Sequence, residues 1–203
     1  MSEYHKIETL YERDINTFKV KPGEFKNRTY TLLKEWQFTE KIDGTNIRCI
    51  WKNNSLTFGG KTDNAQLPKD LLKWLQENVT TERMTEVFPD AEVVIYGEGY
   101  GAGIQKNGGA YGPIKKLIVF DVLIDGKWWL NWENTCDVAS KLNLNVVPFI
   151  GAMTLEDATK VVQQGFKSWI GERNAEGLVG RPAETLFDKK GHRLIIKLKT
   201  SDF

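Results

Sequence analysis

The sequence predicts an α+β fold, with mixed or antiparallel sheets and helices on the outside. Three observations carry that expectation. Short β-branched or aromatic runs are bounded by glycines or charged turns, amphipathic segments at helical spacing lie between them, and no linker or internal repeat separates the two kinds of element. In chain order, Ile47 to Trp51 and Leu56 to Phe58 flank Asn53-Asn54 and read as a hairpin. Leu71, Leu72, Leu75 and Val79 then recur at helical spacing behind Pro68, a residue suited to a first helical turn. Val93 to Tyr96 and Leu117 to Leu123 read as strands. A helix is expected around Glu133 to Leu142, and another opens at Thr154-Leu155-Glu156-Asp157, a capping box with Asp in place of the usual Glu, and closes at Gly165. Leu194 to Leu198 is the last expected strand.

Bulk properties set outer limits. With 203 residues starting at Met1, 40% hydrophobic and 27% charged, the chain predicts one compact domain over 1–203. No apolar run approaches the roughly 20 residues that span a bilayer, and Met-Ser-Glu-Tyr-His-Lys lacks the apolar core of a secretory signal. A soluble, cytoplasmic protein without membrane partners is the expectation. Cys49 and Cys136 are too few for a disulfide framework or a four-cysteine zinc site, and read as reduced core residues. A net charge of +1 supplies no global attraction to nucleic acid, so any polyanion site must be a local basic groove.

The chemistry centres on Lys41 in Glu40-Lys41-Ile42-Asp43-Gly44-Thr45-Asn46. A K-x-D-G string alone says little, but four short motifs follow in order: Gly97-Glu98-Gly99, Phe120-Asp121, Glu176-Gly177-Leu178-Val179 and Lys197-Leu198-Lys199. A free lysine is a weak nucleophile at neutral pH, with only about one molecule in 2,500 unprotonated. Neighbouring cations and partial burial lower a lysine pKa, and Lys197, Lys199 and Lys61 would supply that positive field. Glu40 and Asp43 push the other way, so acids in this region need another use: binding a purine and ribose, or holding a metal. Gly44 would permit a tight turn that presents the lysine at a strand-to-loop junction.

This ordered set resembles the covalent nucleotidyltransferases, and in detail the phage-type RNA ligase 2 enzymes. The run from Glu40 to Asn46 looks like their motif I, Gly60-Lys61-Thr62 falls at motif Ia, and Tyr96-Gly97-Glu98-Gly99-Tyr100-Gly101 resembles motif III. Val119-Phe120-Asp121-Val122 resembles motif IIIa, Glu176 to Val179 motif IV, and Lys197 to Lys199 motif V. The resemblance implies an ATP-grasp-like nucleotidyltransferase (adenylation) domain in which strands line a cleft and Lys41 carries AMP. It assigns Glu40 to the adenine amine, Glu98 to the ribose hydroxyls, Phe120 to stacking on adenine, Glu176 to a divalent metal, Lys197 and Lys199 to the α-phosphate, and Asn46 to a nucleic-acid 5′-phosphate. Lys61 stands where the family usually carries Arg, keeping the charge but losing the bidentate fork. Asp43, which is His in some phage enzymes, joins Lys41, Lys197 and Lys199 in the implied catalytic set.

The implied activity is an ATP-dependent polynucleotide ligase using Mg²⁺ or Mn²⁺ and acting on RNA ends rather than DNA. It proceeds through lysyl-AMP to join a 5′-phosphate to a 3′-hydroxyl. An ATP-dependent DNA ligase, a GTP-using capping-type transferase and a non-catalytic nucleic-acid-binding relative are the alternatives. Relatives carry a further C-terminal domain, whereas this chain runs four residues past Lys199; a protein partner in that domain's place is a further expectation.

Several residues keep a plainer reading. Phe120 lies in an apolar strand and reads as core when taken alone, while Lys197 and Lys199 alternate with Leu198 as the solvent face of an amphipathic strand would. Seven glycines between Gly97 and Gly112 match neither the P-loop nor the dinucleotide fingerprint, and read as a mobile substrate-contact loop or a structural one. Among seven tryptophans, Trp128, Trp129 and Trp132 form the expected surface patch. His5 and His192 are isolated, and neither is expected to ligate a metal or act as acid or base.

Overall fold

The computed structural model describes residues 3–203. Its chain forms two compact units that interleave in sequence. A terminal unit comprises Lys6–Ile42 and Pro148–Phe203; a central unit comprises Asp43–Val147 with residues 3–5.

The terminal unit opens with β1 (Glu8–Thr9), β2 (Tyr11–Arg13), β3 (Val20–Phe25) and β4 (Trp36–Glu40). β2 and β3 pair with each other as a small antiparallel sheet. Trp36 and Phe38 alternate along β4 and are fully buried, which fixes the facing of the strand that delivers Lys41.

In the central unit, β5 (Thr45–Lys52) and β6 (Ser55–Gly59) form the expected hairpin. Asn53 and Asn54 both take positive φ, 49° and 56°, the turn geometry that matches strand twist. α1 (Lys69–Asn78) buries Leu71 and Leu75, and Pro68 stands at its N-cap, one position earlier than the sequence suggested. The sequence reading missed α2 (Thr81–Val87), whose N-cap Thr80 accepts from Arg83 N. β7 (Val93–Tyr100), β8 (Lys116–Ile124) and β9 (Trp128–Trp129) follow, then α3 (Trp132–Lys141) with Asn131 as its cap. The sheet order is β6-β5-β7-β8-β9, antiparallel throughout. α1, α2 and α3 pack their apolar stripes on it, burying Ile47, Cys49, Trp51, Leu71, Leu75, Met84, Ile95, Val122, Val138 and Leu142 in one cluster.

The chain returns to the terminal unit with β10 (Phe149–Met153), α4 (Leu155–Gln164), β11 (Gly177–Arg181) and β12 (Ile196–Lys199). With β1 and β4 they make a second five-stranded sheet in the order β1-β12-β11-β4-β10, antiparallel except where β1 runs parallel to β12. α4 buries Leu155, Ala158 and Val162 against Leu178, Ile196 and Leu198. At its start Thr154 Oγ1 accepts from Asp157 N at 3.1 Å, and Gly165 ends it at φ +72°. The other half of the box changes form: the shorter Asp157 carboxylate accepts the Thr154 hydroxyl at 2.8 Å rather than a backbone N–H.

The mixed α+β class follows, with strands dominating and helices packed on sheet faces. Among the described residues no helix is long and apolar enough to cross a membrane. Three expectations need correction. The last strand starts at Ile196, because Leu194 N is spent on Leu186 O in the preceding hairpin. Cys49 is buried as expected but Cys136 is half-exposed on α3. The tryptophan patch reduces to Trp128: Trp129 packs its ring against Tyr4, His5 and Tyr96, Trp132 is buried, and the exposed tryptophan elsewhere is Trp169.

Candidate active site

In the terminal unit two lysines, Lys41 and Lys199, meet one carboxylate, and a third, Lys197, stands beside them. Backbone pairing places them: β4 and β11 pair through Leu178 and Glu40, and Lys41 N continues the ladder by donating to Gly177 O at 2.9 Å. On the other side of β11, Lys199 pairs with Gly177 and Lys197 with Val179. The two lysines, two residues apart, share a face, while Ile196 and Leu198 point into the core. Lys41 Nζ donates to Glu176 Oε2 at 2.7 Å, and Lys199 Nζ lies 3.1 Å from Glu176 Oε1. Lys197 has its pKa lowered below the ordinary lysine value, first by partial burial and then by the Lys41 and Lys199 ammonium groups.

Gly177 makes this convergence possible. A Cβ there would collide with the Leu198 carbonyl oxygen, so only glycine lets β11 and β12 close at the residue after Glu176.

Glu40 ends β4 with only 1% of its surface exposed. Its Oε2 accepts from Trp169 N at 2.9 Å, while its Oε1 is buried and finds no hydrogen-bond partner among the described residues. A buried carboxylate oxygen left without a donor is costly, so this atom marks a place for a donor brought by a ligand.

The central unit holds the other sequence-predicted residues. Asn46 on β5 stands directly opposite Glu98 on β7, so their side chains share one face of the sheet. Asn46 Oδ1 is likewise buried with no partner among the described residues. Phe120 occupies an irregularity: Tyr96 pairs with Asp121 and Gly97 with Val119, leaving Phe120 as the extra residue of a bulge. Such bulges re-aim a side chain, and Phe120 is half-buried here, packed against the cluster of Val94, Tyr96 and Leu123. Its ring meets the Tyr4 ring edge-on at 5.1 Å, and Tyr4 Oη donates to Asp121 Oδ2 at 2.7 Å.

Asp43 and Gly44 form the turn after Lys41-Ile42. Asp43 N donates to Tyr111 Oη at 3.2 Å, and Gly44 O accepts from Gln105 Nε2 at 2.8 Å. Both partners belong to the glycine-rich segment, which is knitted by its own backbone hydrogen bonds and buries Ile104 and Tyr111. That segment is a buttress for the turn. The reason for Gly44 also differs from the sequence reading: its φ is ordinary, but a Cβ would collide with the Gly99 carbonyl oxygen.

Lys61 is exposed, on a loop that sequence reasoning did not explain. The anchor is Arg48, whose side chain is 1% exposed. Its Nε donates to Gly60 O at 2.8 Å and its Nη1 pairs with Asp63 Oδ1 at 2.8 Å, bracketing Lys61. The available signal was an arginine inside the apolar run Ile47-Arg48-Cys49-Ile50-Trp51.

The structure therefore gathers Lys41, Glu176, Lys197 and Lys199, sets Glu40 at the end of β4 next to Lys41, and pairs Asn46 with Glu98 on a different sheet. Lys61 and Phe120 stand on separate elements of the central unit. Among the described residues no three His, Cys, Asp or Glu side chains cluster to hold a metal. Glu176 is the carboxylate amid the lysines, which suits a hard cation taking its remaining ligands from phosphate oxygens and water.

A sequence model of the RNA ligase family matches residues 34–199, a stretch containing every motif from Lys41 to Lys199. No curated protein matches the chain. Among solved structures, a lysine-to-alanine variant of Naegleria gruberi RNA ligase with ATP and Mn superposes with TM-score 0.70 at 17% identity, covering 97% of this chain and 62% of that one. An apo aspartate-to-alanine variant of Naegleria gruberi RNA ligase gives 0.69 at 17% identity over 98% and 62%. An apo lysine-to-alanine variant gives 0.65 at 18% identity over 83% and 50%. The chain thus spans from one half to about three fifths of the length of these structures, and the likeness is one of fold.

Proposed function

The chain belongs to the RNA ligase family, and on that premise we propose that it is an ATP-dependent RNA ligase acting through AMP bound covalently to Lys41. The carrying observation is the Lys41–Glu176 contact of 2.7 Å with Lys197 and Lys199 on the adjoining strand. A nucleophile, an acid able to hold its proton, and two cations for phosphate charge are what the reaction needs.

In the first step the Lys41 ammonium loses its proton to solvent by way of the neighbouring Glu176 carboxylate, which leaves the amine neutral and Glu176 ionised. The amine lone pair forms an N–P bond to the α-phosphorus of ATP, and the bond to pyrophosphate breaks. Lys197 and Lys199 stabilise charge on the α-phosphate. In the second step a 5′-phosphate oxygen takes the AMP and restores the Lys41 amine. In the third, a 3′-hydroxyl attacks the activated phosphate and AMP leaves. Mg²⁺ or Mn²⁺, held at Glu176 with phosphate and water oxygens, would neutralise polyphosphate charge. Glu40 Oε1 suits the adenine amine, because that buried acceptor lacks a donor; Glu98 and Asn46, facing together, suit ribose hydroxyls and the 5′-phosphate end. Phe120, half-buried at its bulge, supplies a face for adenine. Asp43 belongs to the later steps, and Lys61 adds positive charge for phosphate. The mixed sheets that carry these groups fit an adenylation domain, and RNA ends with 5′-phosphate and 3′-hydroxyl are the proposed partners.

The test is incubation with ATP labelled at the α-phosphate and Mg²⁺, followed by denaturing electrophoresis, beside Lys41→Ala and labelled GTP. Label from ATP on wild type and none on Lys41→Ala supports the reading, and joining of RNA but not DNA ends completes it. A folded, AMP-free protein that takes no label from either nucleotide overturns it in favour of a nucleic-acid-binding relative.

A further inference from the structure

The segment between α4 and Glu176 is a small hairpin that the proposed reaction leaves without a task. Lys167 bridges Asn174, Ala175 N donates to Phe166 O and Ser168 N to Arg173 O, both at 2.9 Å, and Arg173 N returns to Gly171 O at 2.9 Å. At its turn, Ile170 N donates to Ser168 Oγ at 3.3 Å. The hairpin is thus closed by its own backbone and leads directly into Glu176. It carries Trp169, a large apolar residue that is 65% exposed. Leaving an indole in water on an ordered hairpin forgoes the burial that tryptophan normally finds.

The anchoring of that tryptophan is specific. Its backbone N–H is held at 2.9 Å by Oε2 of Glu40, the same carboxylate whose Oε1 is buried without a partner among the described residues. One side chain therefore fixes the indole's attachment point with one oxygen and leaves the other oxygen for an arriving donor. A planar ligand that gives an N–H to Oε1 therefore binds the same carboxylate that holds the Trp169 backbone.

We propose that Trp169 is a nucleobase-binding residue that stacks on the adenine of ATP while Glu40 Oε1 takes the adenine amine. The inference rests on the ATP-dependent reading above and adds to it one further recognition element, a face contact from the indole beside the one proposed for Phe120 and distinct from the Glu40 edge contact. Edge and face respond to different changes in the base. Removing the amine affects the edge alone, and removing the indole affects the face alone.

The experiment measures equilibrium binding by calorimetry with the full chain carrying Lys41→Ala, which blocks covalent chemistry, and compares that parent with added Trp169→Ala or Trp169→Phe. Base–aromatic stacking sets the scale, so Trp169→Ala should weaken ATP about tenfold, with most of the loss recovered by Trp169→Phe. Inosine triphosphate, which has a carbonyl in place of the amine, should bind the parent more weakly than ATP does, and Trp169→Ala should weaken it by the same factor as ATP. With Lys41 intact, Trp169→Ala should raise KM for ATP in the labelling reaction about tenfold and leave kcat within about twofold. Unchanged ATP affinity in Trp169→Ala overturns the proposal, even if Lys41 takes label normally. The same overturning result, joined to weaker binding of a single-stranded oligoribonucleotide, would assign the indole to the RNA strand. Conversely, weaker ATP binding in Trp169→Ala with no label on wild type would keep Trp169 as a base-binding residue and defeat the ligase reading alone.

Discussion

Lys41 Nζ lies 2.7 Å from Glu176 Oε2, the shortest link between the first and fourth motifs of the chain. The carboxylate is shared, since Lys199 Nζ stands 3.1 Å from its other oxygen. Glu176→Gln keeps the shape but removes the charge that orders both ammonium groups and the proton acceptor for Lys41. The labelling rate should fall about 10²-fold or more. Stability should fall as well, by about 1–3 kcal/mol, because both side chains of the pair are largely buried and two ammonium groups lose their counter-charge. Single-turnover labelling beside a urea melt checks both halves.

Lys197 supplies the pH dependence. Burial, followed by the charges of Lys41 and Lys199, sets its folded pKa below the ordinary lysine value of 10.5. The sign follows: below the folded pKa the charged form strains the folded state, and that penalty disappears as the pH rises through the folded pKa toward 10.5. Lys197→Met should therefore raise Tm at neutral pH while cutting the labelling rate at least tenfold, as expected for lost charge stabilisation. In wild type the alkaline fall in labelling should begin below the pH of an ordinary lysine. A Lys197→Met variant that is both less stable and fully active would contradict this account.

Much of this was legible in the residues. The hairpin at Asn53-Asn54, the stripe on α1 and the cap at Thr154 are local, and local chemistry determines them. The lysine cluster was legible because its members sit in short motifs whose order survives in one chain. What escaped depends on pairing partners that sequence spacing does not display. The bulge at Phe120 is a register shift against β7, invisible in a run that reads as continuous core. Gly44 looked like a turn residue and Gly177 carried no conformational reading at all, yet both are needed because a carbonyl from another strand presses on the position of their Cβ. The interleaving of two units also left no linker to read, since the chain passes between them at Ile42–Asp43 and Val147–Pro148 within motif-bearing or apolar segments.

Gly44→Ala tests that close approach. The added Cβ would meet Gly99 O and come within 2.8 Å of Glu98 Cγ, so backbone must shift on β7 and the Glu98 side chain with it. Overpacking of this kind destabilises by roughly 1–3 kcal/mol. Because Glu98 is displaced, ATP binding should weaken beyond what the loss of stability explains. Affinity measured well below Tm separates the two effects, and wild-type affinity in Gly44→Ala would remove Glu98 from nucleotide recognition.

Cys49 and Cys136 should behave as opposites. Burial pushes the Cys49 thiol up to about 12, whereas Cys136 is half-exposed on α3. Iodoacetamide on the native protein at pH 8 should modify Cys136 and spare Cys49, as peptide mass mapping would show. The raised pKa also couples to stability. Between about 9 and about 12 the unfolded thiol loses its proton while the folded one keeps it, so stability falls as the pH climbs through that window. Cys49→Ala has no such proton to lose. The stability gap between wild type and Cys49→Ala should accordingly narrow by about 2 kcal/mol between roughly pH 8 and pH 10.5. A constant gap would mean that the thiol ionises without unfolding, and that the sheet face beneath α1 admits water at Cys49.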